Sequence, residues 1–128
     1  NVAGHRLSTG SIEAVVAGHG AVAECAVVGI RDDLKGQRPS GYVVLKAGIE
    51  IDPEKLRSEL VALVRDAIGA VATFRDVTVV PALPKTRSGK ILRKTMRQIV
   101  DGEEYAVPST IEDPAVLADL ADQLGPKD

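Results

Sequence analysis

The chain has no tryptophan, one cysteine, one methionine and three aromatic residues, Tyr42, Phe74 and Tyr105, among its 128 positions. Single-stranded nucleic acid is held by stacking bases on several aromatic faces, so this scarcity argues against such a partner. Cys25 stands alone, so no internal disulfide can form; a lone thiol fits a reducing compartment, and a cytoplasmic location is expected. His5 and His19 have no cysteine or histidine at ligand spacing, and no metal site is expected. No apolar run reaches the length of a membrane span, and no signal peptide opens the chain. Asn1 is not an initiator methionine, so the chain reads as a piece of something longer.

What is present is aliphatic. Apolar residues make up 45% of the chain, mostly Val, Leu, Ile and Ala, which places it among globular rather than disordered sequences. The length suits one domain with a modest core. The net charge of -2 hides an asymmetry: residues 85–97 hold six Lys/Arg and no acid, whereas residues 101–128 hold eight acids against Lys127. A local anion site follows more readily than a general polyanion surface.

Read in order, Ser8, Thr9 and Ser11 offer N-caps for a short helix with Ile12, Val15 and Val16 inward, stopped at Gly18 or Gly20. Residues 22–30 predict a buried strand with Cys25 as core filler. Residues 31–38 are polar and predict a loop, and residues 41–46 a second strand. Asp52-Pro53 predicts a helix start, with Leu56, Leu60, Leu63 and Ala67 on the buried face, widened by Val64 and Ile68. Lys55 and Glu59 are placed for an i,i+4 pair, and Gly69 ends the helix. Residues 76–80 predict a third strand, and Asp113-Pro114 a last helix to Leu124. The expected fold is α+β, a small single sheet with helices packed on it.

The chain is organised around Pro84-Lys85-Thr86-Arg87-Ser88-Gly89-Lys90-Ile91-Leu92-Arg93. Its proline, hydroxyls and glycine predict a loop over residues 84–89. From Lys90 the apolar residues Ile91, Leu92, Met96 and Ile99, with Thr95, fall on one helical face, which predicts a helix from Lys90 to Gly102. Lys90 would then be a cation at a loop-to-helix junction, where backbone N–H groups favour an anion. A Walker A loop is excluded, because Pro84 stands where its first glycine belongs and Ile91 where Ser/Thr must follow the lysine. A solvated basic helix is the common fate of such a run.

The string from Leu83 to Arg93 closely resembles the C-terminal signature of the AMP-forming acyl-CoA synthetases. The resemblance covers residues 1–102, the core of a mobile C-terminal domain, and more loosely residues 103–128, its acidic tail. It implies the small α+β C-terminal domain of adenylate-forming enzymes. It also implies that Lys90 is the lysine that catalyses acyl-adenylate formation, carried on a motif loop of Lys85, Thr86, Arg87, Ser88 and Gly89. Val2-Ala3-Gly4-His5-Arg6-Leu7-Ser8-Thr9 resembles the segment after the interdomain hinge, with Ala3 where serine is usual. By that resemblance Gly4 lines the CoA thiol channel and Arg6 approaches the nucleotide phosphate. Arg65, in Val64-Arg65-Asp66-Ala67-Ile68-Gly69, corresponds to the arginine near the CoA phosphates.

Residues 102–105 and 108–114 look most like the propionyl-CoA branch, with the acetyl-CoA branch as the alternative. ATP and CoA are the implied substrates. The acyl pocket, most of the ATP site and Mg²⁺ would belong to a separate N-terminal AMP-binding domain, the implied partner, together with the acyl-adenylate. In this family the lysine matching Lys90 is also an acetylation site, which implies a lysine acetyltransferase and a deacylase as further partners. A stand-alone interaction module or acetylation target without catalysis is the reading from another class; no nucleic acid or membrane partner is expected.

Overall fold

The computed structural model describes residues 9–34, 36–69 and 74–125. Seven elements follow in order: α1 (Thr9–Ala17), β1 (Val22–Asp32), β2 (Gly36–Leu45), α2 (Pro53–Ile68), β3 (Asp76–Val79), α3 (Arg93–Val100) and α4 (Pro114–Leu124). The sheet has the order β1-β2-β3, antiparallel between β1 and β2 and parallel between β2 and β3.

The near-continuous apolar run of β1 reflects burial on both faces. Successive side chains alternate across a sheet. Cys25 and Val27 therefore join Ile12 and Val16 of α1 and Leu56, Leu60 and Val64 of α2 in one core. Ala26, Val28 and Ile30 turn the other way and pack with Met96 of α3 and Leu120 of α4. A register shift between Val22 and Glu24 lets even-numbered Val22 join the core of Cys25. The domain is thus a three-layer sandwich, with α1 and α2 on one face and α3 and α4 on the other.

Several expectations are corrected. The polar stretch 31–38 is mostly strand, because β1 runs to Asp32 and β2 starts at Gly36. Ladder pairing from Asp32↔Gly36 to Gly29↔Pro39 overrides composition there, and Gly36 at φ 84 supplies the left-handed residue beside the reversal. Pro39 is tolerated because β3 pairs with β2 only from Ser40 to Val43, so at Pro39 the ladder has β1 on one side. Arg38 meets Asp32 and Asp76 across the strands, which gives these polar residues partners.

Helix α2 begins as predicted: Asp52 accepts from the Lys55 N–H at 3.1 Å, and Pro53 opens the first turn. Its buried stripe is Leu56, Leu60 and Val64; Leu63 and Ala67 are exposed. Steps of four hold the inward direction here, and Leu63 falls beyond the edge of the apolar stripe. Glu59 meets His19 Nε2 at 2.7 Å rather than forming the expected helix pair with Lys55. His19 Nδ1 accepts from the Ala21 N–H at 3.0 Å, so Nε2 carries the proton toward Glu59.

Helix α3 starts at Arg93, not Lys90, and ends at Val100, not Gly102. Residues 90–92 are held out of the helix by the Lys85↔Ile91 bridge and the Leu92 N–H to Pro84 carbonyl bond of 2.9 Å. That pairing outcompetes the helical periodicity of the run. Asp113 caps α4 by accepting from the Ala115 N–H at 3.0 Å, and Leu117 and Leu120 are buried. Strand β3 is one residue shorter than predicted.

Candidate active site

The basic motif folds as a tight hairpin, not as a loop leading into a helix. The Thr86 N–H donates to the Lys90 carbonyl at 2.9 Å, and the Gly89 N–H donates to the Thr86 carbonyl at 2.8 Å. A turn followed by a left-handed residue is a standard hairpin closure, and Gly89 takes that place at φ 92. A Cβ on Gly89 would meet nothing within 4 Å, so conformation rather than space demands glycine.

Hydroxyls tighten the turn. Thr86 Oγ1 accepts from the Lys90 N–H at 3.1 Å and lies 2.9 Å from Ser88 Oγ. On its other side the hairpin is paired with the segment before α4. Thr86 bridges to Ile111, the Arg87 N–H donates to the Thr110 carbonyl at 2.9 Å, and the Glu112 N–H donates to the Lys85 carbonyl at 2.8 Å. Residues 84–86 are therefore the middle of a three-arm ribbon. Pro84 and Leu83 are buried at its base, which anchors the ribbon on the core under α3 and α4.

The six cations of the motif and of α3 divide in two. Lys85 Nζ meets Glu24 at 2.6 Å, Arg93 forms a two-point pair with Glu13, and Arg97 meets Asp101 and Glu103 at 3.4 and 3.2 Å. Arg87, Lys90 and Lys94 are exposed, and no carboxylate of the described residues lies within 4.0 Å of them. Half of the charge run is thus committed to holding the fold. Lys90 combines an ammonium that has no carboxylate partner among the described residues with a backbone tied at both its N–H and its carbonyl. Such a cation can meet an anion without first breaking an internal ion pair.

Glu13 is a residue that sequence reasoning missed. It accepts from the Arg93 guanidinium and, through Oε2 at 2.9 Å, from the Val27 N–H on the outer edge of β1. Hydrogen bonding to Glu13 raises the pKa of Arg93, although partial burial works against it. Cys25 donates to the Glu13 carbonyl at 3.5 Å, and its pKa is pushed up to about 11, first by burial and then by the charge of Glu13. Glu13 and Arg93 are 80 residues apart, and no local pattern in the sequence marks them as partners. Glu24 and the Thr110–Glu112 segment were missed for the same reason.

The structure does not bring the predicted site residues into one cluster. Lys85, Thr86, Arg87, Ser88, Gly89 and Lys90 share the hairpin. Arg65 is exposed in the last turn of α2, on the other side of the sheet. Gly4 and Arg6 lie outside the described residues. Among the described residues no group of three His, Cys, Asp or Glu could hold a metal ion, so no Mg²⁺ ligand is assigned. No helix is long and apolar enough to cross a membrane, again among the described residues.

A three-layer α+β domain that presents a lysine on a braced hairpin is the class of protein defined by this fold and site. Residues 11–90 match the family described as AMP-binding enzyme C-terminal domain, and the chain belongs to that family. It is 62% identical over 120 residues to an uncharacterized protein of Pseudomonas aeruginosa, covering 94% of this chain and 19% of the relative. It is 53% identical over 120 residues to acyl-CoA synthetase short-chain family member B, mitochondrial, of Dictyostelium discoideum, covering 94% of this chain and 17% of the relative. Acetyl-coenzyme A synthetase 1 of Debaryomyces hansenii is 48% identical over 124 residues, covering 95% and 18%. An acyl-CoA synthetase of Brucella canis superposes with TM-score 0.67 at 38% identity, covering 73% of this chain and 17% of that one. The chain spans less than a fifth of the length of these curated relatives.

Proposed function

We propose that this domain serves an AMP-forming short-chain acyl-CoA synthetase, converting a carboxylate, ATP and CoA to acyl-CoA, AMP and pyrophosphate. Its partner is an N-terminal AMP-binding domain of the same protein, which would carry the acyl pocket and any Mg²⁺. In the first half-reaction a carboxylate oxygen attacks the α-phosphorus of ATP and pyrophosphate leaves. Lys90 bridges the carboxylate and the α-phosphate, holding two like-charged reactants together and stabilising the charge that builds on the phosphoryl oxygens. In the second half the CoA thiol attacks the acyl carbon and AMP leaves. Gly4 lines the thiol channel, Arg6 approaches the nucleotide phosphate and Arg65 meets the CoA phosphates.

The observation that carries this reading is the Lys90 ammonium, without a carboxylate partner among the described residues, on a backbone tied at both its N–H and its carbonyl, while Lys85, Arg93 and Arg97 are paired internally. Propionate is the proposed acyl substrate, from the likeness of residues 102–105 and 108–114 to the propionyl branch. The identity to a protein named acetyl-coenzyme A synthetase supports acetate as the second reading. The lone buried Cys25 supports a reducing, cytoplasmic setting. Lys90 on its exposed turn is also a candidate for acetylation, reversed by a deacylase, which would remove the charge the first half-reaction needs.

The test separates the two halves. Lys90→Ala in the full-length protein is expected to lower ATP–pyrophosphate exchange by roughly 10²–10³-fold, the usual scale for removing a group that stabilises developing charge. Thioester formation from supplied acyl-adenylate should survive. Equal loss of both halves would overturn the role given to Lys90.

A further inference from the structure

We propose that Thr86 is the positioning residue for Lys90, and that the segment Thr110–Glu112 holds Thr86 in place from outside the motif. The inference rests on the reading of Lys90 as the adenylation lysine.

A lysine stem has four rotatable carbons, so its tip is placed only as well as its backbone is. Thr86 makes three contacts that define the backbone of Lys90 and the turn before it. Its N–H donates to the Lys90 carbonyl at 2.9 Å, its Oγ1 accepts from the Lys90 N–H at 3.1 Å, and its carbonyl accepts from the Gly89 N–H at 2.8 Å. The Ser88 hydroxyl, 2.9 Å from Oγ1, links the turn to the same oxygen. Neither the Lys90 N–H nor its carbonyl is left to water.

A two-arm hairpin of this size is marginal by itself. Here the arm that bears Thr86 is paired on its free edge with residues 110–112, through the Arg87 N–H to Thr110 and the Glu112 N–H to Lys85. That third arm is anchored at its centre and at its C-terminal end. Ile111 is buried against Ile99 and Leu117, and Asp113 caps α4 directly after it. The rigidity of the lysine turn is thus supplied about 20 residues downstream, in a segment that carries no charge suited to phosphate. Two of the three arms use only main-chain groups toward the third, so the brace leaves few side-chain requirements in the sequence.

The experiment uses the full-length protein and measures pyrophosphate exchange beside thioester formation from supplied acyl-adenylate. Thr86→Val keeps the shape and the strand preference and removes only the hydroxyl. The expected result is a roughly 10–100-fold lower kcat for exchange, the scale of a misplacement near 1 Å, with KM for ATP and carboxylate within about twofold of wild type. Thioester formation should stay near wild type, which also shows that the variant is folded. Thr86→Ser, which keeps the oxygen, should restore exchange. Glu112→Pro, which removes the N–H donated to Lys85, should lower exchange in the same way, and Glu112→Ala should not, since the side chain is exposed.

Exchange by Thr86→Val within twofold of wild type, or Thr86→Ser as impaired as Thr86→Val, would overturn the inference. So would an equal fall in both half-reactions. Lys90→Ala separates the two readings: if it abolishes exchange while Thr86→Val is normal, only the positioning role is wrong. If Lys90→Ala exchanges normally, the adenylation reading fails and the positioning role fails with it.

Discussion

Arg65 and Lys90 stand on opposite sides of one sheet. Arg65 rides on α2, whose Leu56, Leu60 and Val64 fill the core on one face. Lys90 rides on the hairpin, whose Ile91 and Leu83 pack on the other face with Met96 and Leu120. One domain therefore presents two separate basic features, and under the proposed function their use in turn would call for the domain to rotate against its partner.

Arg65→Glu and Lys90→Ala should consequently fail in different ways. Arg65→Glu is expected to raise the apparent KM for CoA and leave pyrophosphate exchange unchanged, because it replaces the proposed phosphate partner by a repelling charge. Gly4→Leu, if the proposed role of Gly4 holds, should block thioester formation without raising that KM, by obstructing the thiol channel. Steady-state kinetics in CoA beside exchange would show both; exchange lost by Arg65→Glu would place Arg65 elsewhere in the reaction.

The corrected stripe of α2 gives a stability test on the chain itself. Leu60→Ala opens a cavity in the core and should cost about 2–5 kcal/mol. Leu63 is 38% exposed, and Leu63→Ala should cost less than about 1 kcal/mol. Urea melts of the two variants decide it, and equal losses would restore Leu63 to the core.

Glu13 ties three elements together, so its removal should cost more than its place on a short helix suggests. Glu13→Ala leaves the Val27 N–H and the Arg93 guanidinium without their acceptor. The expected loss is about 1–3 kcal/mol, the penalty for stranding a partly buried donor. Thermal unfolding measures it. Arg93→Ala should cost less, since Glu13 keeps the Val27 N–H.

Cys25 predicts an alkaline weakness. Its folded pKa is raised from 9.0 to about 11, so the folded state favours the neutral thiol. That contribution is fully present below pH 9 and is lost as pH rises from about 9 to about 11. One pKa unit corresponds to about 1.4 kcal/mol, so the rise from 9.0 to about 11 sets an upper limit of about 3 kcal/mol on the loss. Chemical unfolding of wild type against Cys25→Ala across this window checks the sign, with the variant losing less. Thiol reagents should react slowly at neutral pH for the same reason.

Much of the architecture was legible in the chain, because it depends on neighbours in sequence. The Asp52-Pro53 and Asp113-Pro114 starts, the glycine stop at Gly69 and the aliphatic run of β1 each reflect a preference settled within a few residues. The string of residues 84–93 stood out too, since it is contiguous. Helical periodicity from Lys90 and polar composition over residues 31–38 were outweighed by pairing across a turn, Lys85 with Ile91 and Gly29 with Pro39 among the pairs, and at the motif also by the more distant Thr86–Ile111 bridge. Pairing partners are chosen by the packed core and not by the local sequence. The division of the run into paired and unpaired cations was decided in the same way. Glu24 and Glu13 neutralise Lys85 and Arg93 only because β1 and α1 fold against the hairpin and α3, and Lys90 has no such acid brought to it among the described residues.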